Sequence, residues 1–310
     1  MNEATSYVGR VCWRLFRTTF VGLTAAVIGV GVIGTAKGQA VMTPIPVPAQ
    51  VPAKEAWAQL ADTKLFYWDT GGEGQPIILL HPNSGSAMIW GYQQPAFAKA
   101  GYRVIAYSRR GFYNSAPIVE GKAGNAADDL REFIDLLGIK KFHAVAAASG
   151  GSTAADFATV HPDRLYSLTV SSNTFGLRSG PIAKAATSLR TKNWDDIPSE
   201  VQELGPSYRA ANPDGLKLWA ELEHKAFVGS VRGQGRREIT ETKLEQWKVP
   251  TLLIAGAADL LTPPSISRML QAKIPNSELV VAPESGHSVY WEQPEVFNKA
   301  VLGFIGKHGK

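Results

Sequence analysis

Cysteine is nearly absent. The 310 residues contain one, Cys12, near the N-terminus. A lone thiol closes no internal disulfide, and beyond that segment there is no thiolate to hold a metal or attack a substrate. No HExxH, no His/Asp cluster of metal-ligand spacing and no glycine-rich phosphate loop occurs, so neither a metal nor a cofactor is implied. Charge is scarce too, at 19% Asp, Glu, Lys and Arg. The formal +5 is largely local: Arg10, Arg14, Arg17 and Lys37 face Glu3 alone in residues 1–40, and 28 of the 32 basic and 26 of the 27 acidic residues lie beyond them. A net of +2 there, with no basic run interleaved with aromatics, argues against nucleic acid as a partner.

An uncharged stretch rich in Val, Ile, Gly and Ala, Thr18 to Ala36, follows the three arginines and ends near Gly38-Gln39-Ala40. A basic start, an apolar middle and a small-residue exit describe a secretory signal peptide. About 19 such residues also suffice for an uncleaved membrane anchor. Residues 1–40 are therefore expected to be a signal peptide or anchor, and the remainder to be exported, periplasmic or secreted. Contact with a membrane is expected only if the segment stays uncleaved. Residues 41–53, VMTPIPVPAQVPA, hold four prolines and are expected to form an extended, solvated linker. The folded domain is placed at 54–310.

Within it, short apolar runs alternate with helical patterns. Leu65–Trp68, Pro76–Leu80, Arg103–Tyr107, Phe142–Ala147, Leu165–Val170, Thr251–Ala255 and Glu278–Val281 read as strands. Asp128–Leu137, the alanine-rich stretch to Val160 and Pro294–Ile305 read as helices. This order predicts an α/β fold, a mostly parallel sheet with helices on both faces. Residues 173–248 break the rhythm and are expected to form an inserted helical cap. Its aromatics Trp194, Tyr208, Trp219 and Phe227 suggest an apolar portion of substrate.

Six motifs recur in an order that matters: Tyr67-Trp68-Asp69-Thr70-Gly71 before His81-Pro82-Asn83, then Ser108-Arg109-Arg110-Gly111, Ala148-Ser149-Gly150-Gly151, His161-Pro162-Asp163-Arg164, Gly256-Ala257-Ala258-Asp259, and Gly286-His287. In this the chain resembles the α/β-hydrolase superfamily. The resemblance implies a nucleophile on a tight strand-to-helix turn, then an acid, then a histidine. Asp259 stands where the acid is expected and His287 where the histidine is expected.

The nucleophile position departs from the usual pattern. Spacing from Leu137-Gly138 and from Pro162 places it at Ala148, whose methyl group cannot attack a carbonyl. Ala147-Ala148-Ser149-Gly150-Gly151 also satisfies small-x-Ser-x-Gly if the turn shifts by one residue, which would make Ser149 the nucleophile. An oxyanion site is expected from the N–H after the apex and the loop after His81, with Gly150, His81 and Asn83 as candidates. Asn83 is preferred there as donor because Pro82 has no N–H.

Three functions follow. The first is hydrolysis of an ester, lactone or similar small acyl compound through Ser149, Asp259 and His287. The second is a non-covalent enzyme in which His287 with Asp259 acts as general base and Ala148 makes room; lyase, decarboxylase and cofactor-free oxygenase chemistries belong here. The third is a non-catalytic binding relative. All three take a small molecule as partner.

Overall fold

The computed structural model describes residues 42–231 and 233–309; the leader expected over 1–40 lies outside them. The strands are β1 (Lys54–Gln59), β2 (Lys64–Asp69), β3 (Pro76–Leu80), β4 (Arg103–Tyr107), β5 (Phe142–Ala147), β6 (Leu165–Ser171), β7 (Thr251–Gly256) and β8 (Glu278–Ala282). They form one sheet in the order β1-β2-β4-β3-β5-β6-β7-β8. β1 and β2 pair antiparallel, as do β2 and β4; every later pairing is parallel. The expected mostly parallel α/β architecture is what is seen.

Helices α1 (Gln93–Lys99), α2 (Ala126–Leu136) and α3 (Ser149–Val160) connect the first half of the sheet. Between β6 and β7 lie α4 (Gly180–Ser188), α5 (Ser199–Glu203), α6 (Pro206–Ala211), α7 (Pro213–His224) and α8 (Glu241–Glu245). The chain closes with α9 (Pro264–Lys273), α10 (Val289–Glu292) and α11 (Pro294–His308).

The apolar run of β3 shows why the sheet is covered on both sides. Successive strand residues point to opposite faces. Ile78 and Leu80 join Leu130, Phe133 and Phe157 of α2 and α3, whereas Ile77 and Leu79 join Phe97, Phe297 and Val301 of α1 and α11. Burying each such side chain contributes about 1.5–3 kcal/mol. A strand with one wet face would alternate polar and apolar residues; β3 cannot, because neither face is wet.

Two features differ from expectation. β1 reads poorly as a strand because it lies at the sheet edge, with a largely exposed surface and Trp57 half-exposed. The segment expected to be a solvated linker lies instead against the domain. Met42, Ile45 and Val47 pack on the α1–α11 side of the core. The Val51 N–H donates to Gln94 Oε1 and the Gln94 amide donates back to Val51 O, each at 2.9 Å. Gln50 Nε2 reaches Gly91 O at 2.8 Å. Proline fixes the extended backbone, but the residues between the prolines are apolar enough to be drawn onto the surface.

The topology also locates a crevice. From β3 the chain steps outward to β4 and then returns to the other side of β3 as β5. In an open parallel sheet the loops diverge at such a reversal and leave a cleft at the carboxyl ends of the strands. The loops after β3 and β5 flank this cleft.

Candidate active site

β5 runs into α3 through a single bent residue, and that residue is Ala148, with φ 44° and ψ −122°. Its N–H donates to Ser171 O at 2.9 Å and its carbonyl accepts from Gly151 N at 2.8 Å. A side-chain-bearing residue held there costs about 1–3 kcal/mol. The one-residue shift that would put Ser149 at the apex does not occur. The two glycines explain why. A Cβ on Gly150 would lie 2.1 Å from Leu80 O, and one on Gly151 would lie 2.9 Å from both the Val170 and Asn173 side chains. Sliding the turn forward would carry Ser152 into the place of Gly151, against those side chains.

Ser149 is the first residue of α3. Its hydroxyl donates to Asn83 Oδ1 at 2.8 Å and accepts from Arg109 Nη2 at 3.0 Å, not from or to His287. Among the described residues, no protein acceptor meets the backbone N–H of Ser149, Gly150 or Asn83. The first two are open donors because a helix leaves its first-turn N–H groups unbonded. His81 is fully buried, with Nδ1 on Pro82 O at 2.7 Å and Nε2 accepting from Arg109 N at 3.0 Å. Burial, then the nearby Arg109 charge, keeps it well below the ordinary imidazole range. Both ring nitrogens are spent on holding two loops together, so His81 braces the site from behind and does not face substrate.

Asp259 follows β7, and His287 lies on the loop after β8. Their side chains meet: His287 Nδ1 lies 2.9 Å from Asp259 Oδ2 and 3.0 Å from Oδ1. Asp259 Oδ1 also accepts from the N–H groups of Leu261 and Thr262 at 2.8 and 2.9 Å. The two loops can approach this closely because Gly256 has no side chain; a Cβ there would sit 1.9 Å from Gly286 O. Burial lowers the basicity of His287, but the carboxylates of Asp259 and Glu203 outweigh it and raise its pKa to about 9. Burial works against ionisation of Asp259, yet His287 and the two N–H donors hold its carboxyl below the usual value.

Glu203, at the end of α5, has no warning in the sequence. Its carbonyl accepts from His287 N at 2.8 Å and Ser288 N at 3.1 Å, and its carboxylate accepts from Ser288 Oγ at 3.2 Å. Burial raises its carboxyl pKa, partly offset by His287. Glu292 also braces the histidine loop. Its buried Oε2 accepts from Gly205 N at 2.8 Å and Gly286 N at 2.9 Å, which ties that loop to the cap.

Ala148, Ser149, Asn83, Glu203 and His287 all line one cavity of about 610 Å³. The cap covers it, but its aromatics do not supply an apolar wall. Tyr208 and Trp219 are buried in the core beside Trp291, and of the four aromatics only Trp194 reaches the lining. Ser152, Asn173, Thr174, Thr187, Arg190 and Gln202 make the cavity largely polar. Among the described residues, no three His, Cys, Asp or Glu side chains gather as a metal site.

A model of the alpha/beta hydrolase family matches residues 77–300. RutD of Caulobacter sp. (strain K31), named for carbamate hydrolysis, is 32% identical over 247 residues, 74% of this chain and 90% of that one. A 2-hydroxy-6-oxononadienedioate/2-hydroxy-6-oxononatrienedioate hydrolase of Pseudomonas putida is 28% identical over 79% of this chain and 92% of its own. Among solved structures, a thermophilic esterase from Thermogutta terrifontis shares the fold with a TM-score of 0.70 at 23% identity, covering 84% of this chain and 100% of that one. Est816, described as degrading N-acyl homoserine lactones, aligns with a TM-score of 0.66 at 26% identity, covering 80% and 100%.

Proposed function

Given that this chain belongs to the alpha/beta hydrolase family, we propose that it hydrolyses a small ester, lactone or carbamate-like acyl compound by direct attack of water, with His287 as general base. The observation that carries this reading is Ala148 at the bend, in a cavity that also contains His287. Where a serine would place its oxygen, alanine leaves room for a water molecule.

The steps follow from the groups present. Asp259 accepts the Nδ1 proton of His287, which leaves Nε2 as the basic nitrogen. Nε2 removes a proton from water as the water oxygen bonds to the acyl carbon. The carbonyl oxygen takes up the negative charge and is held by the open N–H groups of Ser149 and Asn83. Removing one such donor costs about 3 kcal/mol of transition-state stabilisation. The tetrahedral species then collapses, and the leaving oxygen or nitrogen takes its proton from His287. Water is consumed, and an acid and an alcohol or amine are released.

A second reading keeps Ser149 as nucleophile in a triad with Asp259 and His287, because Ser149 lines the same cavity. It requires the hydroxyl to leave Asn83 and Arg109. Steady-state kinetics on 4-nitrophenyl acetate separate the two. Water attack predicts that Ser149→Ala keeps kcat/KM within about fivefold while His287→Ala loses on the order of a hundredfold or more. A hundredfold loss in Ser149→Ala would overturn it.

From the basic and then apolar N-terminal segment, the proposal extends to a site of action outside the cytoplasm. Recovery of the full-length protein from the cytosolic fraction alone would contradict that part.

A further inference from the structure

Arg109 and Arg110 are neighbours with opposite fates. Arg110 is held by two carboxylates: its Nη2 lies 2.6 Å from both Asp62 and Asp129. Arg109 is 8% exposed and touches no carboxylate. Its Nη2 donates to His81 O at 3.2 Å, Asn83 Oδ1 at 3.1 Å and Ser149 Oγ at 3.0 Å, all neutral acceptors. The guanidinium lies 4.9 Å over the Phe112 ring. Burying a cation without an opposite charge costs several kcal/mol, so such a group is ordinarily paired.

Burial disfavours the charge of Arg109, Tyr107 partly offsets this, and the cation of Arg236 disfavours it further. Arg236 makes no hydrogen bond to the described residues. Burial and then the like charge of Arg178 disfavour its charge; Asp156 favours it, but that carboxylate already accepts from Arg237 N at 3.0 Å, Arg237 Nη1 at 3.3 Å and Asn125 Nδ2 at 3.3 Å. Both arginines line a side cavity of about 120 Å³. Thr153 lines it too, with a buried hydroxyl that has no partner among the described residues. This side cavity shares Asn83, Ser149 and Arg236 with the larger one that contains Ala148 and His287.

We propose that the Arg109–Arg236 side cavity binds a carboxylate of the substrate, so that the enzyme acts on acyl compounds carrying a second, ionised carboxyl group. Two unpaired guanidiniums and a free hydroxyl offer donors in number, and the space fits a carboxylate better than a bulky apolar group. The substrate assignment rests on the hydrolytic reading above; the anion site does not.

Two readouts keep them apart. The first is binding of glutarate to the wild-type protein, followed by calorimetry and by the shift in thermal midpoint, with inorganic phosphate as a parallel probe. The second is kcat/KM for mono-4-nitrophenyl glutarate against its neutral methyl ester. The expected results are glutarate binding that weakens at least tenfold in Arg236→Gln, and a preference of tenfold or more for the half-ester that falls toward parity in the same variant. Arg236 donates no hydrogen bond to the described residues, so that variant removes none of the bonds seen there. No glutarate binding, or tighter binding of phosphate than of glutarate, would overturn the carboxylate site. Equal use of half-ester and neutral ester would overturn the assignment of that site to the substrate's second carboxylate. If glutarate binds but neither ester is cleaved, the site stands and the hydrolytic reading fails.

Discussion

Replacing Glu203 with Gln removes one of the two carboxylates that outweigh burial and hold a proton on His287. The amide can still accept from Ser288, and the backbone bonds that hold His287 and Ser288 are untouched. With its pKa raised to about 9, His287 is mostly a cation at neutral pH. A base of pKa about 9 is free in roughly 1% of molecules at pH 7. An opposite charge close to a titrating group shifts its pKa by about 1–3 units. Taking the lower end, the variant's His287 titrates near 8, and its free-base fraction at pH 7 rises roughly tenfold. The assay is kcat/KM for 4-nitrophenyl acetate from about pH 5.5 to 10. The rising limb should move down by about one unit, and the rate at pH 7 should increase several-fold. The high-pH plateau should fall somewhat, because a weaker base removes the proton less readily. A limb that stays in place, or moves upward, would refute the electrostatic role given to Glu203.

Burial raises the Glu292 carboxyl pKa to about 7 despite the N–H donors of Gly286 and Gly205. The folded state therefore favours the protonated form, and stability should decline as pH climbs from the unfolded value near 4.5 through about 7. Glu292→Gln, which stays neutral, should show an unfolding free energy in urea that falls less between pH 5 and 8, by on the order of 2–3 kcal/mol; parallel curves would contradict this. Ala148→Gly should raise unfolding free energy in urea by about 1 kcal/mol by releasing the bend at φ 44°. An unchanged or lower value would mean that the turn is not strained.

Much of this was legible in the chain because burial leaves a simple mark. β3 and β5 read as strands because both faces are covered, and Asp259 and His287 stand at fixed distances beyond the apolar runs of β7 and β8. The bend was ambiguous for a local reason. Ala147-Ala148-Ser149-Gly150-Gly151 permits two registers, and only the approach of Leu80, Val170 and Asn173 to the glycines chooses between them. β1 left no clear pattern because an edge strand has little to bury. The cap aromatics misled because residue type does not tell whether a ring faces the cavity or anchors the cap. Glu203 gave no signal, since it acts across a contact between distant segments. The doubled Arg109-Arg110 was a signal without direction: only the position of Asp62 and Asp129 shows which guanidinium is neutralised.

Intact-mass analysis after incubation with a fluorophosphonate tests the absence of a seryl nucleophile most directly, with Ala148→Ser treated in parallel. Attack by water predicts that the wild-type protein keeps its mass while Ala148→Ser gains one phosphonyl group. A stoichiometric adduct on Ser149 of the wild-type protein would contradict the account.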